Sequence, residues 1–328
     1  MGEFLKKYLY GIIFTAVLVS FTAYALLDTF VIPREYSAPA ERNDSLIFAT
    51  AKPNDISGGS DNDASEENCE EQPDYTSGED VQTEPVITEN SYDDGKIKIT
   101  ITQRTYYDTE VYMADVRIAS AEYLKTALAK GKYGRNICET TSEMAEDNGG
   151  IFAVNGDYYG SRSVGYVIRN GVLYRSKGDS SREDIVINAD GTFDIVREAS
   201  VTAEELLANG AYHVLSFGPG LVEDGELIVS KNASLDKEMK SNPRCAIGIV
   251  EPLHYVFVVS DGRTDESEGL SLYELGQVMQ SLGVETAYNL DGGGSATMYF
   301  NGRIVNKPTT FGDEISERSL SDIIYIGY

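Results

Sequence analysis

Residues Asn289 to Met298 read NLDGGGSATM, approached through the apolar positions Ala287 and Leu290 as at the end of a buried strand. Three successive glycines after an aspartate remove every side chain that would hold a ligand away. Backbone N–H groups can then approach an anion or a sugar closely, while Asp291 supplies one fixed charge. A lone Asp-Gly-Gly would read as a tight structural turn. The full ten-residue string is more specific, and it predicts a strand that ends in a ligand-facing loop.

The same pattern of an apolar run with polar residues at its end recurs along the chain. The run IFAV from Ile151 leads into Asn155, Gly156 and Asp157, Tyr255 to Val259 leads into Asp261, Gly262 and Arg263, and Arg244 precedes the run Ala246 to Val250. With Ile323 to Ile326 these read as buried strands. Four pairs, Asn170-Gly171, Asp190-Gly191, Asp224-Gly225 and Asn301-Gly302, lie between apolar or alternating runs and suit two-residue hairpin turns that need positive φ. Helices are predicted at Ser120 to Lys130, from an N-cap serine and Gly131 beyond the end, and after the capping boxes Thr202 with Glu205 and Ser271 with Glu274. Leu272, Leu275, Val278, Met279 and Leu282 give the last helix one apolar face, closed by Gly283. The expected fold class is α+β: strand-rich, with a largely antiparallel central sheet or sheets, several flanking helices and one core.

Six segments in order carry a resemblance: IFAVNGDYYG from Ile151, SFGPGLVEDGE from Ser216, PRCAIGI from Pro243, VVSDGR from Val258, GLSLYELGQVMQSLG from Gly269, and NLDGGGSATM. Together they resemble the phosphodiester glycosidases, a family that includes bacterial proteins linked to exopolysaccharide. The similarity runs from Tyr92 to Tyr328 and leaves the first ninety residues uncovered. It implies a hydrolase that cleaves a sugar 1-phosphodiester at the glycosidic bond, releasing a sugar such as N-acetylglucosamine, with cell-wall or exopolysaccharide glycans as substrates. The other reading is a non-catalytic surface module that binds sugar phosphates during polysaccharide assembly. Relatives commonly carry glycine where Asp157 stands and threonine where Cys245 stands. Asp157 is therefore read as a contact particular to this lineage, and Cys245 as a small buried residue.

The 328 residues include 41% apolar ones, enough for a substantial core, and the net charge of -26 is unevenly spread. Residues 37 to 94 hold sixteen acidic side chains against Arg42 and Lys52, for a net of -14, and the remainder beyond them carries -12. So acidic a surface argues against nucleic acid as a partner. Tyr8 to Leu27 is a chargeless, mostly apolar run after Lys6 and Lys7, long enough to cross a bilayer once with the following chain outside. An uncleaved anchor is favoured over a signal peptide cut near Ala23-Tyr24-Ala25, because the apolar run passes through that site. The expected organisation is a cytoplasmic stub and anchor over 1–36, an acidic disordered linker over 37–90 and the glycosidase domain over 91–328, on the extracellular side of the cell membrane. Of the cysteines, Cys69 lies in the linker, and a Cys138 to Cys245 disulfide is permitted by the compartment but required by nothing.

With His213 and His254 the only histidines, a multi-histidine metal centre is unavailable. His254 is expected to face solvent and His213 to pack. Carboxylates remain, and two of them can run glycoside cleavage, while a phosphate leaving group departs as an anion with little acid assistance. Asp291 is the first choice for the carboxylate at the sugar carbon, with Asp157 and Asp261 as further candidates. Gly292, Gly293, Gly294 and Ser295 are expected to offer donors to the substrate, together with Asn155 and Gly156. Arg244 and Arg263 are expected to clamp the phosphate, with Arg318 a weaker candidate. Glu274 is accounted for by its capping box. No cofactor is required; calcium or magnesium would suit the aspartate oxygens, and their spacing demands neither.

Overall fold

The computed structural model describes residues 2–37, 41–51, 84–230, 241–310 and 314–328. Every strand pairing in it is antiparallel. Nine strands form the largest sheet, in the order Glu226–Leu227, Gly220–Glu223, Thr286–Asn289, Arg244–Glu251, His254–Ser260, Thr109–Ile118, Ile97–Tyr106, Ser91–Asp93 and Val86–Ile87. One five-stranded sheet runs Val172–Arg175, Val167–Arg169, Ala211–Leu215, Glu183–Asn188, Phe193–Arg197. The other runs Arg303–Ile304, Met298–Phe300, Phe152–Asn155, Asp322–Ile326, Leu124–Leu128. The α+β, antiparallel expectation is met.

All four Asn-Gly and Asp-Gly pairs turn hairpins, with Asn170, Asp224 and Asn301 and each following glycine at positive φ. The strands join through their apolar faces. Phe152 meets Phe257 with ring centroids 5.0 Å apart, and Phe193 stacks on Tyr255 at 5.1 Å, so the strand His254–Ser260 touches both smaller sheets. Each such ring contributes roughly 1.5–3 kcal/mol when fully removed from water. Helix Leu272–Ser281, capped by Ser271 and Glu274 as predicted, packs Met279 over Gly248, where a Cβ would stand 2.7 Å from the methionine methyl. Helix Ala203–Ala208 carries the predicted Thr202 and Glu205 box, and Thr140 with Glu143 caps a further helix, Thr141–Asp147.

Two expectations fail. Ser120 to Lys130 is not a helix: after one tight turn at Ala121–Tyr123, Leu124–Leu128 becomes a strand against Asp322–Ile326. The alanines, leucines and lysines there favour a helix in isolation, but burying Leu124, Thr126 and Ala127 against the sheet outweighs so weak a preference. His254 does not face solvent, being buried with its Nε2 2.8 Å from Asp115 Oδ2. His213 packs, as expected. Its Nε2–H donates to the Leu124 carbonyl (2.9 Å), its Nδ1 accepts from the Asn170 N–H (3.1 Å), and burial lowers its pKa to about 3.

Among the described side chains of helix Gly2–Phe30 all are exposed except Ala25, Asp28 and Thr29, which are partly covered, and Lys7–Phe30 is long and apolar enough to cross a membrane. Beyond it, Arg34–Glu35 pairs with Gly134–Arg135. Residues 41–51, read from composition as part of the linker, lie against the domain: Asn43 N–H donates to Gly171 O (3.0 Å), Ala49 N–H to Ala189 O (2.9 Å), and the Phe48 ring meets Tyr212 at 4.8 Å. At the other end of the expected linker Val86–Ile87 is a strand paired with Ser91–Asp93, while residues 38–40 and 52–83, which include Cys69, lie outside the described residues. Cys138 and Cys245 are both free thiols, and Cys245 is fully buried.

Candidate active site

Strand ends from all three sheets converge beside the triple-glycine loop. Thr286–Asn289 delivers Asp291, Phe152–Asn155 delivers Gly156 to Tyr158, Ala211–Leu215 delivers Ser216 and Phe217, and the turn before Asp322–Ile326 delivers Arg318 to Ser321. Between them opens a cavity of about 340 Å³ lined by Tyr158, Phe217, Asp291, Ser295, Arg318 and Cys138, with Ser161 and Ser319 to Ser321 at its sides. A larger hollow of about 460 Å³ lies at the free edge of the nine-stranded sheet, around Val86, Asp93 and Lys98. It is lined by the turn at Asp94 and Gly95 and holds no fully buried polar side chain, so the smaller cavity is the candidate site.

Asp291 is half-buried in the cavity wall. The strand ends behind it are stitched together: Asp291 N–H donates to Gly156 O (3.2 Å), and Asn155 Nδ2 donates to Asp291 O (2.6 Å). Asn155 Oδ1 also accepts the Thr297 N–H at 3.2 Å, which makes Asn155 a brace between loops. Gly292 N–H donates to Asp291 Oδ1 (2.9 Å). Burial pushes the Asp291 carboxyl up to about 6, against the downward pull of the Ser295 hydroxyl, Arg318, the Gly292 N–H and Arg162. A carboxyl poised near neutrality in an open cavity is the signature expected of a working acid or base.

The glycines admit guanidinium groups as well as ligand. At Gly293, whose φ is +62°, a Cβ would stand 2.7 Å from Arg263 Nη2; at Gly294 it would stand 2.7 Å from Arg318 Nη2 and 2.8 Å from Thr309 O. Gly292 is similarly pressed on Pro243 O, at 2.8 Å. Arg263 and Arg318 thus flank the loop together. Burial and the neighbouring charge of Arg318 both lower the Arg263 pKa. Among the described residues no carboxylate lies within 4.0 Å of either guanidinium. Two adjacent cations repel each other, and an anion such as phosphate placed between them would relieve that repulsion.

The other predicted residues are placed elsewhere. Asp157 is 1% exposed, lies 3.0 Å from Arg169 Nη2 and accepts N–H groups from Tyr159 (3.0 Å) and Ser216 (2.7 Å). Arg169 also binds Asp322, at 2.7 Å from Nη2 and 3.0 Å from Nε, so one buried guanidinium bridges two buried carboxylates. Burial opposes the Arg169 charge, yet Asp157 and Asp322 outweigh it and raise its pKa. Gly156 has no side chain because a Cβ would meet the Asp322 carboxylate at 2.5 Å. Asp261, 3% exposed, accepts from the Lys307 N–H (2.7 Å) and the Tyr112 hydroxyl (3.2 Å) and lies off the cavity wall. Arg244 is buried with Nε on Leu270 O at 2.9 Å. Among the described residues no group of three or more His, Cys, Asp or Glu side chains is placed to hold a metal ion.

Two wall residues, Tyr158 and Phe217, were missed, and so was Arg162, which packs on them. Arg162 hydrogen-bonds the Tyr158 hydroxyl and Ser216 O, with its guanidinium 4.0 Å from the Tyr158 ring centroid and 5.4 Å from that of Phe217. Tyr158 and Phe217 themselves meet edge-on at 5.2 Å, and Phe217 N–H is held by the Tyr288 hydroxyl at 2.9 Å. Both aromatics fall inside the motifs IFAVNGDYYG and SFGPGLVEDGE, which was the available signal; Arg162 had none.

A family model for phosphodiester glycosidase matches residues 148–327, more than half of the chain and the whole of the cavity wall except Cys138. The chain belongs to the phosphodiester glycosidase family. Among similar proteins, the SPbeta prophage-derived uncharacterized protein YomE of Bacillus subtilis is 30% identical over 201 residues, covering 60% of this chain and 31% of that protein. The N-acetylglucosamine-1-phosphodiester alpha-N-acetylglucosaminidase of Mus musculus is 27% identical over 187 residues, 52% of this chain and 35% of that one. The chain thus spans about a third of the length of these curated relatives. The zebrafish enzyme of the same name, solved as a catalytic domain auto-inhibited by its pro-peptide, superposes with a TM-score of 0.57 at 19% identity, covering 71% of this chain and 83% of that one. At that identity the likeness speaks for the fold alone.

Proposed function

We propose that this chain is an exported, membrane-anchored hydrolase that cleaves a sugar 1-phosphodiester at the glycosidic bond in surface glycans. Residues 1–36 would serve as anchor and stub and 91–328 as the hydrolase domain, with 37–90 joining them and packing on the domain through 41–51. The observation that carries the reading is Asp291, a carboxyl with its pKa near 6 in the wall of a cavity that Arg318 also lines, with Arg263 beside Gly293 of the same loop. The arginines and the loop N–H groups take the phosphate. Tyr158 and Phe217 offer apolar ring surface to the sugar. Asp291 then acts at the anomeric carbon or on the attacking water. Among the described residues it is the one carboxylate lining the cavity. A single carboxylate suffices, since the phosphomonoester leaves as an anion without a strong acid.

The test is turnover of the methyl phosphodiester of N-acetylglucosamine 1-phosphate in oxygen-18 water, with Asp291→Asn alongside. Label in the sugar, lost in the variant, is the expected result. Label in the phosphate would assign P–O cleavage instead. Binding without turnover, unchanged in Asp291→Asn, would make the protein a sugar-phosphate-binding module.

A further inference from the structure

The helix Gly2–Phe30 does not lead into a free tether. Its last turn is fastened to the domain: Asn136 Nδ2 donates to Thr29 O (3.2 Å) and to Ile32 O (3.1 Å), satisfying carbonyls that a helix end leaves without partners. Asn136 holds this position in the left-handed region, at φ +56°. Immediately afterwards Arg34–Glu35 pairs with Gly134–Arg135, and Tyr36 N–H donates to Tyr133 O at 2.9 Å. The Tyr36 ring lies 5.8 Å from Tyr133, which stacks at 5.3 Å on Tyr159, the neighbour of the cavity residue Tyr158.

This fastening sits beside the cavity. Cys138 of the cavity wall is two residues beyond Asn136, and two residues of chain span at most about 7 Å. Gly160 is wedged between the Ser321 side chain, also of the wall, and Gly134 O, which a Cβ on it would meet at 3.2 Å. A free linker of about fifty residues would instead let the domain range over roughly 40 Å. Charge agrees with the placement. In a chain of net charge -26, residues 125–138 contain Lys125, Lys130, Lys132 and Arg135 and no acidic residue. Glu35 pairs with Lys132 at 2.8 Å, and Glu139 accepts the Lys130 backbone N–H, which leaves Lys130 and Arg135 without an ion-pair partner among the described residues. Basic groups at the outlet of a membrane helix are drawn to anionic headgroups.

We infer that the cavity works at the membrane surface, and that its substrate is a sugar 1-phosphodiester carried by a lipid rather than a phosphodiester far out in a wall polymer. The inference rests on the hydrolase reading and on the helix as anchor, and it names the substrate class for that site. In the step, water supplies the oxygen that bonds to the anomeric carbon, and the bond from that carbon to the phosphate oxygen breaks. That oxygen and its electron pair stay with phosphorus, so the lipid is left as a phosphomonoester and the sugar is released with a free anomeric hydroxyl.

The test uses the full chain in phosphatidylcholine and phosphatidylglycerol vesicles. Two substrates carry the same N-acetylglucosamine 1-phosphate, one esterified to a polyprenol in the bilayer and one to methanol in the water. A variant carries thirty Gly and Ser residues inserted between Ile32 and Pro33, which leaves the strand pairing in place and frees the helix. Expected is a tenfold or greater loss on the lipid-borne substrate, with the methyl ester turned over as before. Equal rates for the two chains on the lipid-borne substrate would overturn the inference while leaving the hydrolase reading intact. No turnover of either substrate would remove that reading, and the substrate assignment with it. Placement has its own readout, because the chain has no tryptophan. Fluorescence of Ser319→Trp at the cavity rim should be quenched by brominated lipid and lose that quenching on insertion; no quenching in the uninserted chain would also overturn the inference.

Discussion

Asp157 and Asp291 stand at the ends of strands whose backbones touch, and their surroundings differ in kind. Asp157 is enclosed: Arg169 and two backbone N–H groups occupy its oxygens, and nothing is left over for a ligand. Asp291 takes one backbone N–H and a serine hydroxyl, then meets a cavity that Arg318 also lines. The same residue type is a rivet in one place and, in the proposed function, the reactive group in the other. What separates them is how many of their hydrogen-bonding positions the protein itself fills. Arginine divides along the same line, since Arg169 is shared between two carboxylates while Arg318 has Thr310 O at 3.1 Å and an open side.

The sharpest way to break this contrast is at Asp291. Asp291→Asn should lower kcat by roughly 10²–10⁴ while the melting temperature stays close to wild type. The carboxyl titrates near 6 and is needed ionised, so wild-type kcat/KM should fall as the pH drops through about 6, and that limb should vanish in the variant. Should Asp157→Asn produce the same kinetic loss in a fully folded protein, the distinction between enclosed and open carboxylates fails.

Arg169→Met tests the enclosed half. It leaves Asp157 and Asp322 buried without their cation, which costs about 3–5 kcal/mol in stability. Urea unfolding measures it, and adding Asp322→Asn should restore part of the loss by removing one of the stranded charges. A small change in Arg169→Met alone would mean that water or relaxation already serves these carboxylates.

Arg318→Ala should do the reverse, moving kinetics and leaving stability alone. Losing one charged hydrogen bond to a phosphate, about 1.5–3 kcal/mol, corresponds to a drop in kcat/KM of about 10- to 100-fold. A methyl-ester substrate should register most of it in KM. Because no described carboxylate pairs with Arg318, thermal unfolding should barely shift; a large destabilisation would show instead that Arg318 holds the Thr309 and Thr310 turn in place.

What could be read from the chain follows physical range. The hairpins were legible because Asn-Gly and Asp-Gly carry their own backbone preference, and the Ser271 and Thr202 caps because donor and acceptor are three residues apart. The Leu124–Leu128 strand was not, since its partner lies nearly two hundred residues away at Asp322–Ile326. The open loop was legible in NLDGGGSATM, where glycines announce close approach. The two guanidinium groups that make this approach come from Arg263 and Arg318, of which the first was favoured and the second undervalued. Asp157 was the costlier misreading. A polar residue at a strand end looks the same whether it faces a ligand or a buried arginine, and the Arg169 and Asp322 that decide the matter sit twelve and 165 positions further along. Residues 41–51 show the converse, because acidic, polar composition concealed Phe48 and Ala49, which pack on the core.

The smallest effect concerns a second enclosed acid, behind the loop that carries Phe217. Asp184 is fully buried, its oxygens accept no N–H, and the group beside it is Glu198, which takes the Tyr166 N–H (3.0 Å) and the Ser216 hydroxyl (3.2 Å). Burial, then the charge of Glu198, pushes Asp184 up to about 9, against the Ser216 hydroxyl, so Asp184 keeps its proton at neutral pH. The folded pKa lies above the unfolded value. The contribution to stability is therefore complete below about pH 4 and drains away as the pH rises toward about 9, by on the order of 1 kcal/mol per pH unit at most. Asp184→Asn keeps a donor for Glu198 and cannot ionise, so its melting temperature should fall less than wild type's between pH 6 and pH 9. Parallel curves for the two proteins would mean that Asp184 ionises in the folded protein as readily as in the unfolded chain.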